Sequence, residues 1–185
     1  DDAFADQLTC CAIVRRMEPR PETPPPKRRW TRAQVVYAVA LFVFAWTLVG
    51  LALARSDVLP HNGMELASAA FFFVFGLFTI SMGYQHPSLG YYSFDRVSQV
   101  ASILVLGPVE AALINGLASF VYPWHRLRKG VAPRDEVYAA IHNPGLMATI
   151  VLAAGTAYSS VGGPVPLTSL TPATIAALLV LVLGM

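Results

Sequence analysis

Charge is what this chain has least of: only 13% of its 185 residues are Asp, Glu, Lys or Arg, whereas 55% are hydrophobic. A water-soluble domain carries roughly a quarter charged residues and less than half apolar ones, so an ordinary soluble globule is excluded as the first reading. Cysteine is scarce too. Cys10 and Cys11 are adjacent and have no second pair at metal-ligand spacing, which excludes a disulfide framework or a zinc site. Leu8-Thr9-Cys10 is a weak match to a lipid anchor, because no apolar signal segment precedes it.

Reactive constellations are missing as well. His61, His86, His125 and His142 are scattered, with no HxxxH or His–carboxylate spacing, and there is no Gly-rich phosphate loop, nucleophile elbow or paired-carboxylate motif. No catalysis, metal or cofactor is therefore expected of this chain. The basic residues flank apolar segments and lack interleaved aromatic platforms, so nucleic acid is not an expected partner either.

What is present is a series of long apolar blocks. About twenty such residues match the ~30 Å hydrocarbon thickness at 1.5 Å per helical residue. The expected fold is all-α, a polytopic membrane helix bundle of about six segments with the lipid bilayer as its main partner. Residues 1–32 read as a basic, proline-rich cytoplasmic tail too polar to build a core and expected to be disordered. Residues 33–185 read as the transmembrane helical domain. Asp1 at the start and an unfinished apolar run at 178–185 suggest a piece of a longer protein, with Met17 as a natural start.

Residues 33–54 form the first expected span, free of charge, and residues 64–83 the second, with Phe71-Phe72-Phe73 and Phe75 suited to lipid or helix packing. The third apolar region, 97–122, would be about 39 Å long as one helix. Gly107-Pro108 interrupts it, since proline removes a backbone donor and glycine accepts turn conformations. The positive-inside rule tests the break independently. Arg15 to Arg32 place the amino terminus in the cytoplasm, and Arg126, Arg128, Lys129 and Arg134 mark a second basic stretch that belongs there too. An even number of crossings must separate them, so the region is expected to be a hairpin, residues 94–106 and 108–122. A further span over 137–160 leads outward to an uncharged loop, and the last starts near Pro172 and returns inward.

Four polar residues in these segments are candidate ligand contacts: Glu110, Asn115, His142 and Asn143. A carboxylate at hydrocarbon depth is disfavoured by about 3 kcal/mol. At the first turn after Pro108, however, Glu110 would complement the helix dipole, so capping and ligand or proton binding both fit it. Asn115 and Ser119 suit interhelical hydrogen bonds. His142 could sense protons or sit as a wetted interfacial histidine.

One order of motifs is distinctive. Leu89-Gly90-Tyr91-Tyr92-Ser93-Phe94-Asp95 is followed by Ile103-Leu104-Val105-Leu106-Gly107-Pro108-Val109-Glu110, then His142-Asn143-Pro144, then Ala157-Tyr158-Ser159-Ser160-Val161-Gly162-Gly163. This order resembles the amino-terminal multi-helix sensor region of bacterial signalling proteins whose outputs are GGDEF diguanylate cyclases, HD-GYP phosphodiesterases or histidine kinases. The resemblance covers about residues 35–185 and departs from the family pattern at Pro144-Gly145, where a glutamine-containing turn often follows the asparagine. It implies an inner-membrane input module that binds a small-molecule ligand, has no catalytic residues here, and dimerises through an output domain beyond Met185. A similar outline in the substrate-binding subunits of vitamin transporters implies a membrane transport subunit as the alternative.

Overall fold

The computed structural model describes residues 30–55, 63–86, 90–92, 94–127 and 133–185. The expected disorder of the tail, the start at Met17, both cysteines, His61, Arg128 and Lys129 all lie outside the described residues. Among those described are six helices: α1 Arg32–Arg55, α2 Gly63–Ser81, α3 Asp95–Leu106, α4 Pro108–Leu127, α5 Pro133–Ser160 and α6 Pro172–Gly184. The all-helical bundle is as expected, and α1, α2 and α5 are each long and apolar enough to cross a membrane.

Three boundaries differ from expectation. Two three-residue strands, β1 Tyr84–His86 and β2 Gly90–Tyr92, pair antiparallel between α2 and α3, with Gln85 opposite Tyr91. Gly90, in the first of the four ordered motifs, therefore opens a strand. Helix α4 runs on to Leu127 through Pro123, which forfeits one backbone hydrogen bond but is buried. Helix α5 starts at Pro133, four residues earlier than expected, because proline suits the first helical position and Asp135 and Glu136 complement the dipole in the first turn. Asn143 consequently lies well inside α5.

The bundle is built inside out relative to a soluble protein. Its buried positions are dominated by small side chains, Ala38, Ala45, Ala111, Ala112, Ala118, Ala148, Ala154 and Ala177 among them. Large apolar side chains face outward instead, with Val36 67%, Phe71 61% and Val74 63% exposed. In water this surface would drive aggregation. In lipid it is unremarkable, and small residues are what let helix backbones approach closely.

Helix α5 is the hub. It packs most extensively on α4 and also holds α1 and α6, whereas α2 lies against α4 and α3. At Gly145 an added Cβ would lie 2.9 Å from both the Cα and the N of Phe42 in α1, so the two helix backbones meet there. At Gly155 an added Cβ would lie 2.7 Å from Pro108 Cβ, which fixes the hairpin tip against the last third of α5.

Two glycines end helices for a stereochemical reason. Gly107 has φ 99° and ψ 171°, a region open essentially to glycine alone, and its N–H closes α3 on the Ile103 carbonyl at 3.0 Å. Gly162 has φ 85° and starts a Schellman motif in which its N–H donates to Ser159 O and that of Gly163 to Tyr158 O. Gly163 lies so close to the Tyr158 ring that no side chain fits there, and the Tyr158 hydroxyl donates to Pro164 O at 2.9 Å. The Tyr158…Gly162-Gly163 motif is thus the cap of α5. The loop it starts covers the hairpin tip, with Leu167 N–H donating to Leu104 O at 2.9 Å.

Candidate functional site

Helix α3 carries Asp95, Ser98, Gln99 and Ser102 at positions i, i+3, i+4 and i+7, which places them along one face. That face is turned inward: Ser98, Gln99 and Ser102 are each 2% exposed or less. Polar groups this deep in a bundle need partners. Gln99 Nε2 donates to Asp95 Oδ2 at 3.1 Å and approaches Met147 Sδ of α5 at 3.1 Å, while Arg96 Nη1 donates to Gln99 Oε1 at 3.2 Å. Ser102 Oγ donates to the Gln99 carbonyl at 2.9 Å and accepts from Asn115 Nδ2 of α4 at 2.8 Å. Asn115 Nδ2 also donates to its own helix at Ala111 O, 2.8 Å away. These bonds make a continuous polar seam along α3, tied to α4 by Asn115 and touching α5 at Met147.

One member is left over. Ser98 Oγ is fully buried and has no hydrogen-bond partner. It faces Gly76 of α2, where an added Cβ would lie 3.5 Å from Ser98 Oγ, 3.9 Å from Asn115 Oδ1 and 3.4 Å from Ala118 Cβ. A glycine at this point lets α2 close over the hydroxyl and the amide oxygen together.

The four expected contacts do not converge. Asn115 is in the seam and 4% exposed. Glu110 stands at the third position of α4, in its first turn, with its Oε2 3.4 Å from where a Gly107 Cβ would be. A carboxylate there complements the helix dipole, and the charge that acts on it is Glu65 in the first turn of α2. His142 stacks on Tyr138 with ring centroids 5.6 Å apart and meets Tyr37 of α1 at 5.9 Å. His142 Nδ1 lies 3.2 Å from Oδ1 of Asn143, which is exposed. Gly155, which touches the hairpin tip, is thirteen residues beyond His142 along α5, about 20 Å at the helical rise. Glu110 and His142 therefore sit towards opposite ends of the bundle.

One buried acid was not expected from the sequence. Glu136 is 3% exposed; its Oε1 lies 3.5 Å from Nε of Arg126 in α4, and its Oε2 has no partner. It ties the end of α4 to the start of α5 where the basic stretch lies. Among the described residues no cluster of three His, Cys, Asp or Glu could hold a metal ion.

Ser98, Gln99 and Ser102 were legible in principle, because polar residues at 3.6-residue spacing inside an apolar segment mark an inward face. No protein-family model, curated protein or solved structure matches this chain.

Proposed function

We propose that this chain is the membrane-embedded input module of a bacterial signal-transduction protein, with the polar seam as its ligand site. The output is a cytoplasmic cyclic-di-GMP enzyme or kinase, the membrane is the inner membrane with the amino terminus in the cytoplasm, and dimerisation runs through the output domain. One observation supports this most: a sealed, unpartnered Ser98 hydroxyl beside Asn115, in a bundle whose other buried side chains are mostly small and apolar.

A buried hydroxyl without a partner is disfavoured by about 1–3 kcal/mol. A small polar ligand that hydrogen-bonds Ser98 and Asn115 offsets this, but it has to part α2 from the hairpin, because Gly76 closes directly over both groups. Ligand-free and ligand-bound bundles then differ in arrangement, and differential affinity shifts the population between them. Helix α6 has α5 as its one substantial neighbour, so it can follow a displacement of α5 without unpacking from anything else.

The coding sequence past Met185 tests the reading. An in-frame GGDEF, HD-GYP or histidine-kinase domain is expected, and another apolar span followed by a stop codon would sink it. That second result would favour the transport subunit, in which the same seam binds cargo and substrate uptake into vesicles becomes the measurement.

A further inference from the structure

The hydrogen bonds of the polar seam leave a definite remainder. Asn115 spends both Nδ2 hydrogens, on Ser102 Oγ and on Ala111 O, each 2.8 Å away. The Ala111 carbonyl can only accept, which fixes the amide with its nitrogen on that side and leaves Oδ1 without a donor among the described residues. Ser102 gives its proton to the Gln99 carbonyl, and Gln99 spends Nε2 on Asp95 and Met147 and its Oε1 on Arg96. What remains is Asn115 Oδ1, an acceptor, and the fully buried Ser98 hydroxyl, whose proton has no taker among the described residues. Both border one point, the Cβ position that Gly76 lacks, at 3.9 Å and 3.5 Å.

The atoms nearest that point carry no charge: the two oxygens and Ala118 Cβ. The charged members of the seam, Asp95 and Arg96, have opposite signs and are both engaged by the Gln99 amide, which turns to Met147 of α5 and not to Gly76 of α2. Asp95, in the first turn of α3, already complements that helix's dipole. An anion at Gly76 would meet one hydroxyl proton and a bare carbonyl oxygen, and a cation would lose its hydration with no carboxylate there to replace it. An uncharged group that offers one donor and one acceptor side by side meets neither penalty and satisfies both leftover atoms.

We infer that the seam recognises a compact, uncharged molecule of the primary-amide class, its N–H donating to Asn115 Oδ1 and its carbonyl accepting from Ser98 Oγ. This rests on the seam being a ligand site, as proposed above, and not on the nature of the output domain.

The test uses the whole chain in detergent with nitrogen-15 on asparagine, which gives side-chain amide signals from Asn62, Asn115 and Asn143 alone; that of Asn115 is assigned by its loss in Asn115→Ala. The probes are acetamide, acetate and acetamidinium, alike in shape and different in charge, titrated to about 100 mM because so few atoms give weak binding. Acetamide should shift the Asn115 signal saturably, and the two ions should bind at least about tenfold more weakly. Ser98→Ala should weaken acetamide binding about tenfold. Gly76→Ala, whose methyl group makes ordinary contacts of 3.4, 3.5 and 3.9 Å, should fold and abolish the shift by covering both oxygens. Binding of acetate or acetamidinium as tight as that of acetamide overturns the inference while the seam remains a ligand site. An undiminished acetamide response in either folded variant overturns it too. No saturable shift with any of the three probes overturns both the inference and the ligand site, whereas the coding sequence past Met185 tests the sensor role separately.

Discussion

At the scale of the residue, this bundle depends on side chains that are missing or small. Gly145 is the sharpest case: a Cβ there would lie 2.9 Å from backbone atoms of Phe42, which cannot yield as a flexible side chain can. Gly145→Ala should separate α1 from α5 and destabilise the protein by about 1–3 kcal/mol, the range seen for overpacked cores. Gly50 is the control, because nothing lies within 4 Å of its added Cβ. Gly50→Ala should stabilise α1 by up to about 1 kcal/mol through helix propensity alone. Thermal unfolding in detergent reads both, and a Gly145→Ala variant as stable as Gly50→Ala would refute the close approach. Ser98 and Asn115 make a second contrast. Ser98→Ala removes an unpartnered hydroxyl and should raise stability by about 1 kcal/mol, whereas Asn115→Ala breaks two hydrogen bonds and should lower it by about 1–2 kcal/mol. A loss on Ser98→Ala would mean that the hydroxyl is satisfied after all.

At the scale of the element, the break in the third apolar region decides the bundle's order. Gly107 holds a backbone conformation closed to L side chains, and its own carbonyl accepts the Ala111 N–H that begins α4. Gly107→Ala should therefore cost about 1–3 kcal/mol in backbone strain, with an added Cβ 3.4 Å from the Glu110 carboxylate. Gly162→Ala should cost less, since the left-handed conformation of a Schellman C′ residue is open to L side chains at a smaller penalty than the φ 99°, ψ 171° of Gly107. Comparable melting temperatures for these two variants would show that the Gly107 conformation is no more restrictive than that of Gly162. The hairpin was legible because Gly107-Pro108 and the two basic stretches imposed it independently. The extension of α4 was not, since Pro123 and the charges after it imitate a helix end and only burial of the ring reveals otherwise. The place of Glu110 in the first turn of α4 was legible for the same local reason, since it follows Pro108 directly. The seam was harder to see because α3 alternates its polar face with Val97, Val100, Ile103 and Leu104, so the segment reads as apolar unless it is folded at 3.6 residues per turn. Glu136 could not be distinguished from Asp135 in sequence, although one is buried and the other is not.

At the scale of the whole molecule, contacts at both ends arrange the bundle so that Arg32, Arg126 and Arg134 share a side. The Glu65–Glu110 interaction and the Leu167–Leu104 hydrogen bond put the start of α2, the hairpin tip and the loop after α5 at one end. The Arg126–Glu136 pair and the Tyr37–His142 contact put the start of α1, the end of α4 and the start of α5 at the other. The second end carries Arg32, Arg126 and Arg134, and the orientation proposed above on the positive-inside rule turns it to the cytoplasm. Single cysteines in a chain whose Cys10 and Cys11 are replaced by serine read this directly. Glu65→Cys and Val161→Cys, both at exposed positions, should react with a membrane-impermeant maleimide in intact cells, and Arg134→Cys only after permeabilisation. Labelling of Glu65→Cys and Val161→Cys from opposite sides would contradict the bundle order itself. Labelling of Arg134→Cys alone in intact cells would keep the bundle but invert it, sending α6 away from the cytoplasm and removing the route by which the seam could act on a cytoplasmic output.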